Sequence, residues 1–180
     1  MAYVNALANA LSDTFTDERY PLGSTYVQTE DEVKRGGSGV SAATDFALLQ
    51  GERTWVFVQA KTAVTAGQLC RRDAIATQYV VDPDDQSEPL ITTLVGIAAP
   101  AIAASSFGWI IAKGTCVALV SAGVAAADLL ASDGDNTVGG IDTIANGAGA
   151  ALKVVGEALE AKDATLANHV QARIDLMRLN

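Results

Sequence analysis

From residue 53 onwards the chain is a series of short apolar runs, rich in β-branched and aromatic residues and broken by Gly, Pro or Asp. Breaks about every ten residues predict short strands joined by turns. The clearest runs are Arg53-Thr-Trp-Val-Phe-Val-Gln59, Ala74-Ile-Ala-Thr-Gln-Tyr-Val-Val81, residues 90–97, Phe107-Gly-Trp-Ile-Ile-Ala112, Thr115-Cys-Val-Ala-Leu-Val120 and residues 168–176. Asp82-Pro83-Asp84-Asp85 and Gly114 read as turns between them. This pattern predicts a mainly β fold, a compact sandwich or barrel. The first 40 residues differ. Val4, Leu7, Ala8 and Leu11 fall on one face of a short amphipathic helix. Pro21-Leu22-Gly23 is a turn signal, and Gly36-Gly37-Ser38-Gly39 is a linker. The expected organisation is an N-terminal arm with its linker over 1–40 and a β-rich domain over 41–180.

Within that domain the chain resembles itself. Val64-Thr-Ala-Gly-Gln-Leu69 matches Val124-Ala-Ala-Ala-Asp-Leu129, and Val95-Gly96-Ile97-Ala98 matches Val155-Gly156-Glu157-Ala158. One shift of 60 aligns both pairs. A gapless overlay of 61–120 on 121–180 matches thirteen positions, five of them alanine, so the shared spacing is the stronger sign. It predicts two related β units, 61–120 and 121–180, packed on one core. The glycine of each Val-Gly-x-Ala marks a bulge or a close backbone approach. Two copies are too few for a solenoid.

Composition narrows the function classes. The chain has 180 residues and a net charge of −9. Apolar residues make up 49% but aromatics only 6%, and charged residues only 18%. An acidic, lightly charged surface argues against direct nucleic-acid binding, which needs a basic face. Lys34-Arg35 and Arg71-Arg72, each flanked by acids, read as solvated turns or ion-pair partners. The N-terminus lacks a signal-peptide pattern, which predicts cytoplasmic synthesis. Residues 89–112 are almost uncharged, but Pro100, Ser105-Ser106 and Gly108 interrupt them, which predicts two strands rather than a membrane helix.

Catalytic chemistry is hard to find. The single histidine, His169, falls opposite Trp109 in the 60-residue overlay and reads as a surface or rim residue. Cys70 and Cys116 lie in apolar stretches and read as buried thiols. Asp133-Gly-Asp135-Asn136 resembles the start of a calcium loop, but Ile144 stands where a bidentate Glu is required, so a turn is expected. No phosphate loop, nucleophile elbow or zinc-protease motif is present. The expectation is a non-enzymatic protein with no catalytic, cofactor-binding or metal-binding residues.

Several of these segments carry a family resemblance. Tyr20-Pro-Leu-Gly23, Val64-Thr-Ala-Gly-Gln-Leu-Cys70 and the run from Leu94 to Gly114, with its Val-Gly-x-Ala strand, Ala-rich turn and aromatic-Gly-Trp strand, look like segments of capsid decoration (head cement) proteins of tailed bacteriophages. Val124–Leu130 and Val155–Leu159 are similar to the later half of that pattern. The resemblance implies a virion protein on the outer capsid surface, self-associated as a homotrimer, that clips neighbouring major capsid subunits. The charge, the interrupted apolar run and the missing motifs add the expectation of no cofactor, no direct nucleic acid and no membrane. The alternative is a fibre or adhesin-like β module binding host glycans, which would need exposed aromatics on one loop face.

Overall fold

The computed structural model describes residues 11–30, 32, 51–74, 77–85, 93–120, 123–133, 138–144, 154–161 and 169–176. These form ten strands: β1 (Thr25–Gln28), β2 (Arg53–Ala60), β3 (Leu69–Ala74), β4 (Thr77–Pro83), β5 (Leu94–Ala98), β6 (Phe107–Leu119), β7 (Leu129–Asp133), β8 (Gly140–Thr143), β9 (Val154–Ala158) and β10 (His169–Asp175). All belong to one hydrogen-bonded sheet in the order β1-β2-β4-β3-β5-β6-β10-β9-β7-β8, with an added β2–β6 pairing.

That added pairing turns part of the sheet into a ring. β2 pairs with β4 in parallel, and β4–β3, β3–β5, β5–β6 and β6–β2 are antiparallel, so five strands close on themselves. A second ring follows through β6–β10, β10–β9, β9–β7 and β7–β8, closed by a parallel bridge between Val120 and Ile141. Closure satisfies the strand edges that an open sheet would leave bare. β6 serves both barrels: its first half completes the first, and its second half begins the next.

The two barrels are copies at the level of register. Cys70 faces Gly96 and Pro83, while Leu130 faces Gly156 and Thr143. Ala60 faces Val81 across the parallel contact, and Val120 faces Ile141. The bulge after Cys70 recurs after Leu130. Only the last strand departs from the shift of 60. Phe57 faces Trp109 and Val117 faces Gln171, so the connection before β10 is two residues longer than that before β6. His169 is therefore the counterpart of Phe107, not of Trp109 as the gapless overlay has it.

Alternation along each strand places matching residues inside both rings. Val56, Val58, Ala60, Val64, Cys70, Val81, Val95, Ala98, Ile110 and Ala112 form one buried cluster. Their counterparts Cys116, Ala118, Val120, Val124, Leu130, Ile141, Val155, Ala158, Ala172 and Ile174 are buried in the other. Each Val, Leu or Ile so buried contributes about 1.5–3 kcal/mol. Gly96 and Gly156 stand where each barrel tolerates no side chain: a Cβ on Gly96 would lie 2.6 Å from the Ile111 carbonyl oxygen, and one on Gly156 would run into that of Arg173.

Several expectations need correction. The run 74–81 is not one strand, because Ala74 belongs to β3 and faces Thr77 of the antiparallel β4. Gly114 does not separate two strands, because β6 runs through it with φ +107, a conformation glycine adopts without strain. Residues 11–28 are not outside the core. Leu11 is fully buried, Phe15 pairs with Phe107, β1 pairs with β2, and Gly23 N–H donates to the Phe57 carbonyl. Phe15 and Tyr20 pack with Phe57 and Trp109 in an aromatic cluster, with Tyr20 and Trp109 centroids 5.3 Å apart. The expected helix (bar Leu11), the Gly36–Gly39 linker, Lys34-Arg35 and the Gly134–Asn136 turn lie outside the described residues.

Candidate functional site

The residues singled out for chemistry are dispersed. Cys70 lies inside the first barrel and Cys116 inside the second; both are free thiols, and burial pushes each up to about 12. Cys116 is held slightly below that tendency by the Arg53 guanidinium. His169 stands at the start of β10, its Nε2 3.2 Å from the Ala66 carbonyl oxygen. Among the described residues, no three His, Cys, Asp or Glu side chains gather as a metal site. No helix there is long and apolar enough to cross a membrane.

Asp82 and Pro83, expected in a turn, instead belong to β4, facing Arg71 and Cys70, and the carboxylates of the Asp82-Pro83-Asp84-Asp85 stretch serve packing. Asp82 accepts from the backbone N–H and hydroxyl of Thr62, and Asp85 pairs with Arg71 at 3.0 Å. Asp84 is buried and accepts a hydrogen bond from the Ser132 hydroxyl of the second barrel. Its backbone carbonyl takes the Gly139 N–H, while Leu69 N–H donates to the Gly139 carbonyl. Leu119 N–H donates to the Gly67 carbonyl, and Gln68 Nε2 donates to the Val138 carbonyl at 2.9 Å. A strip of the first barrel, residues 66–69 with Asp84, thus seals one end of the second. Arg71 fulfils its ion-pair reading; Arg53, which carried no expectation, is a buried cation whose charge is disfavoured by desolvation.

The outer faces of the two barrels have diverged. On the first, cross-strand neighbours Leu69, Ile97, Ile111 and Trp55 make an apolar row. All four are buried, and Trp55 Nε1 donates to Gln28 Oε1 at 3.0 Å. On the second, the corresponding row is Leu129, Glu157, Arg173 and Thr115. Arg173 pairs with Glu157 at 3.0 Å, and Lys113 lies 3.8 Å from Asp175 on the same side. Lys113, Thr115, Glu157, Arg173 and Asp175 border an open concavity of about 540 Å³ that Gly51 and Glu52 also line. Leu129, which faces Glu157, and Val154 are exposed. Charges of both signs and a shallow opening suit contact with another macromolecule better than capture of a small ligand.

Sequence reasoning named Leu129 only as a repeat position. Its exposure was not legible there, because a repeat motif does not state which copy is covered.

No family model and no curated protein matches the chain. Among solved structures it is similar to the N base of the head fiber gp8.5 of bacteriophage phi29, at 11% identity and a TM-score of 0.44, over 68% of this chain and 93% of that one.

Proposed function

We propose that the chain is a structural virion protein that binds the outer surface of a tailed-phage capsid and clips neighbouring major capsid subunits. The observation that carries this reading is the fusion of two barrels through one continuous strand. β6 crosses between them without a linker, and the Asp84–Ser132 and Leu69–Gly139 contacts clasp them beside it. A stiff double-headed body holds two neighbouring surfaces at a fixed spacing; a tethered pair of domains would not. The segments that resemble decoration proteins form the frame of this body: Tyr20–Gly23 against the first barrel, the entries to β3 and β7, and the Val-Gly-x-Ala bulges. Binding energy spread over two heads, and multiplied by self-association, would supply the stabilisation.

The glycan-binding alternative needs exposed aromatic platforms. Trp55, Phe57 and Trp109 are sealed, and Phe15, Tyr20 and Phe107 pack against them, so the described aromatics do not favour it.

The test is to add purified protein to capsids that lack it. Electron microscopy should show added density on the outer surface, and the particles should gain resistance to heat or chelator. Failure to bind, or binding without any gain in resistance, overturns the cement role.

A further inference from the structure

Arg53 opens β2 and is only 2% exposed. A guanidinium keeps its proton at every ordinary pH, so this is a full positive charge withdrawn from water. Such burial is costly unless an anion and hydrogen bonds offset it. Among the described residues, its Nε has no hydrogen-bond partner. The carboxylates near cations are engaged elsewhere: Asp73 and Asp82 with Lys61, Asp85 with Arg71, Asp175 with Lys113 and Glu157 with Arg173. The one neighbour whose charge would favour Arg53 is Cys116. Burial pushes that thiol up to about 12, so near neutral pH it stays protonated and offers no negative charge.

The duplication explains how this charge comes to lack a partner. The counterpart of Arg53 in the second barrel is Lys113, which is half exposed, faces Asp175 and lies 3.8 Å from its carboxylate. With the longer connection before β10 allowed for, the counterpart of Asp175 in the first barrel is Lys113 itself. Where the second barrel places a carboxylate, the first therefore places another cation. The seat of Arg53 is nonetheless well formed. Gly114 passes beside it at φ +107 with no side chain, and a Cβ there would lie 3.0 Å from Arg53 Cα and 3.2 Å from its Cγ. Glu52 and Gly114, which flank Arg53 in sequence and in space, line the open concavity. We infer that Arg53 is an anion-binding residue that takes one monovalent carboxylate from outside the described chain. A single unbalanced charge calls for a single negative charge, since Lys113 and Arg173 beside it are already paired. The planar fork of the guanidinium matches the two oxygens of a carboxylate. That carboxylate comes either from a small acid in solution or from an acidic side chain of the surface the protein binds.

The test is thermal unfolding of the whole chain in rising sodium acetate, at an ionic strength held constant with a sulfonate salt too bulky to enter. The wild-type midpoint should climb and level off about 2–4 °C higher, as a saturable site requires. Arg53→Met should abolish the climb. Without acetate it should unfold no earlier than the wild type, because it removes an unbalanced buried charge. Lys61→Met, the same change of charge at an exposed side chain, should climb as the wild type does. A climb that persists in Arg53→Met overturns the inference. So does an Arg53→Met chain less stable than the wild type without acetate, since the guanidinium is then already balanced within the chain. If acetate leaves the wild type unchanged but Arg53→Met abolishes its binding to capsids, the carboxylate belongs to the capsid. No acetate effect combined with capsid binding that survives Arg53→Met, or with a wild type that binds no capsid, overturns the inference. The acetate result stands whether or not the cement role does.

Discussion

Leu69 and Leu129 occupy the same place in two copies of one barrel, yet the first is fully buried and the second 55% exposed. Each begins a strand, and each faces the residue before the alanine of a Val-Gly-x-Ala bulge. What differs is the cover. Leu69 should therefore be far more costly to truncate. Leu69→Ala is expected to lose about 2–5 kcal/mol by leaving a cavity where the barrels meet, and Leu129→Ala about 0.5 kcal/mol or less in the isolated chain. Urea unfolding of the two variants checks the contrast; equal losses would mean that the barrels do not support one another.

Ala127, the counterpart of Gly67, holds φ at +69 and invites the opposite experiment. Replacing it with glycine relieves the left-handed strain at the cost of a more flexible unfolded chain, so a net gain of about 0.5–1 kcal/mol is expected. Gly67→Ala should do harm, because its Cβ would meet the His169 ring 2.6 Å away and the Leu119 nitrogen at 3.0 Å. Thermal unfolding midpoints should move in opposite directions for the two substitutions.

The thiols yield a prediction in pH. Burial raises both Cys70 and Cys116 from an ordinary 9.0 to about 12. Between those values the folded chain keeps protons that the unfolded chain releases, so stability falls as pH rises from about 9 towards 12. Below pH 9 the contribution is fully present. Neither thiol should react with a disulfide reagent at pH 8 while the chain is folded, and both should react in denaturant. Rapid modification of the native chain would refute their placement inside the barrels.

Removal of residues 1–20 should damage the first barrel rather than trim an arm. It would uncover Phe57 and Trp109, on which Phe15 and Tyr20 pack, and would remove the Phe15–Phe107 pairing. Loss of several kilocalories is expected, with a red shift of tryptophan emission in the truncated chain. An unaltered unfolding midpoint would restore the view of this segment as a detachable arm.

That segment shows where sequence reading stops. Strand positions such as 53–59 and 107–112 were legible because β-branched and aromatic residues cluster between turn signals. The duplication was legible from the spacing of two motifs. Residues 11–28 were not, since Leu11, Phe15, Tyr20 and Tyr26 are unevenly spaced and follow no single period. Only the tertiary contact with β2 and β6 gives them a role. Leu69–Ala74 was hard to recognise as a strand because Arg71, Arg72 and Asp73 occupy half of it, and Gly114 misled because a strand can pass through a positive φ. A barrel was one of the expected outcomes, but which strands close it was not legible for a similar reason: the β2–β6 and β6–β10 pairings join residues far apart in sequence.

The shared strand also determines how the molecule would bear a pull. β6 pairs with β2 from Phe107 to Lys113 and with β10 from Lys113 to Leu119, antiparallel in both cases. Tension that drags one barrel past the other along β6 loads the hydrogen bonds of a whole ladder together, in shear. Tension across the strand would instead peel them one at a time. A mechanical fastener built this way is strong along one direction and weak at right angles to it, so its orientation on whatever it holds would matter as much as its affinity.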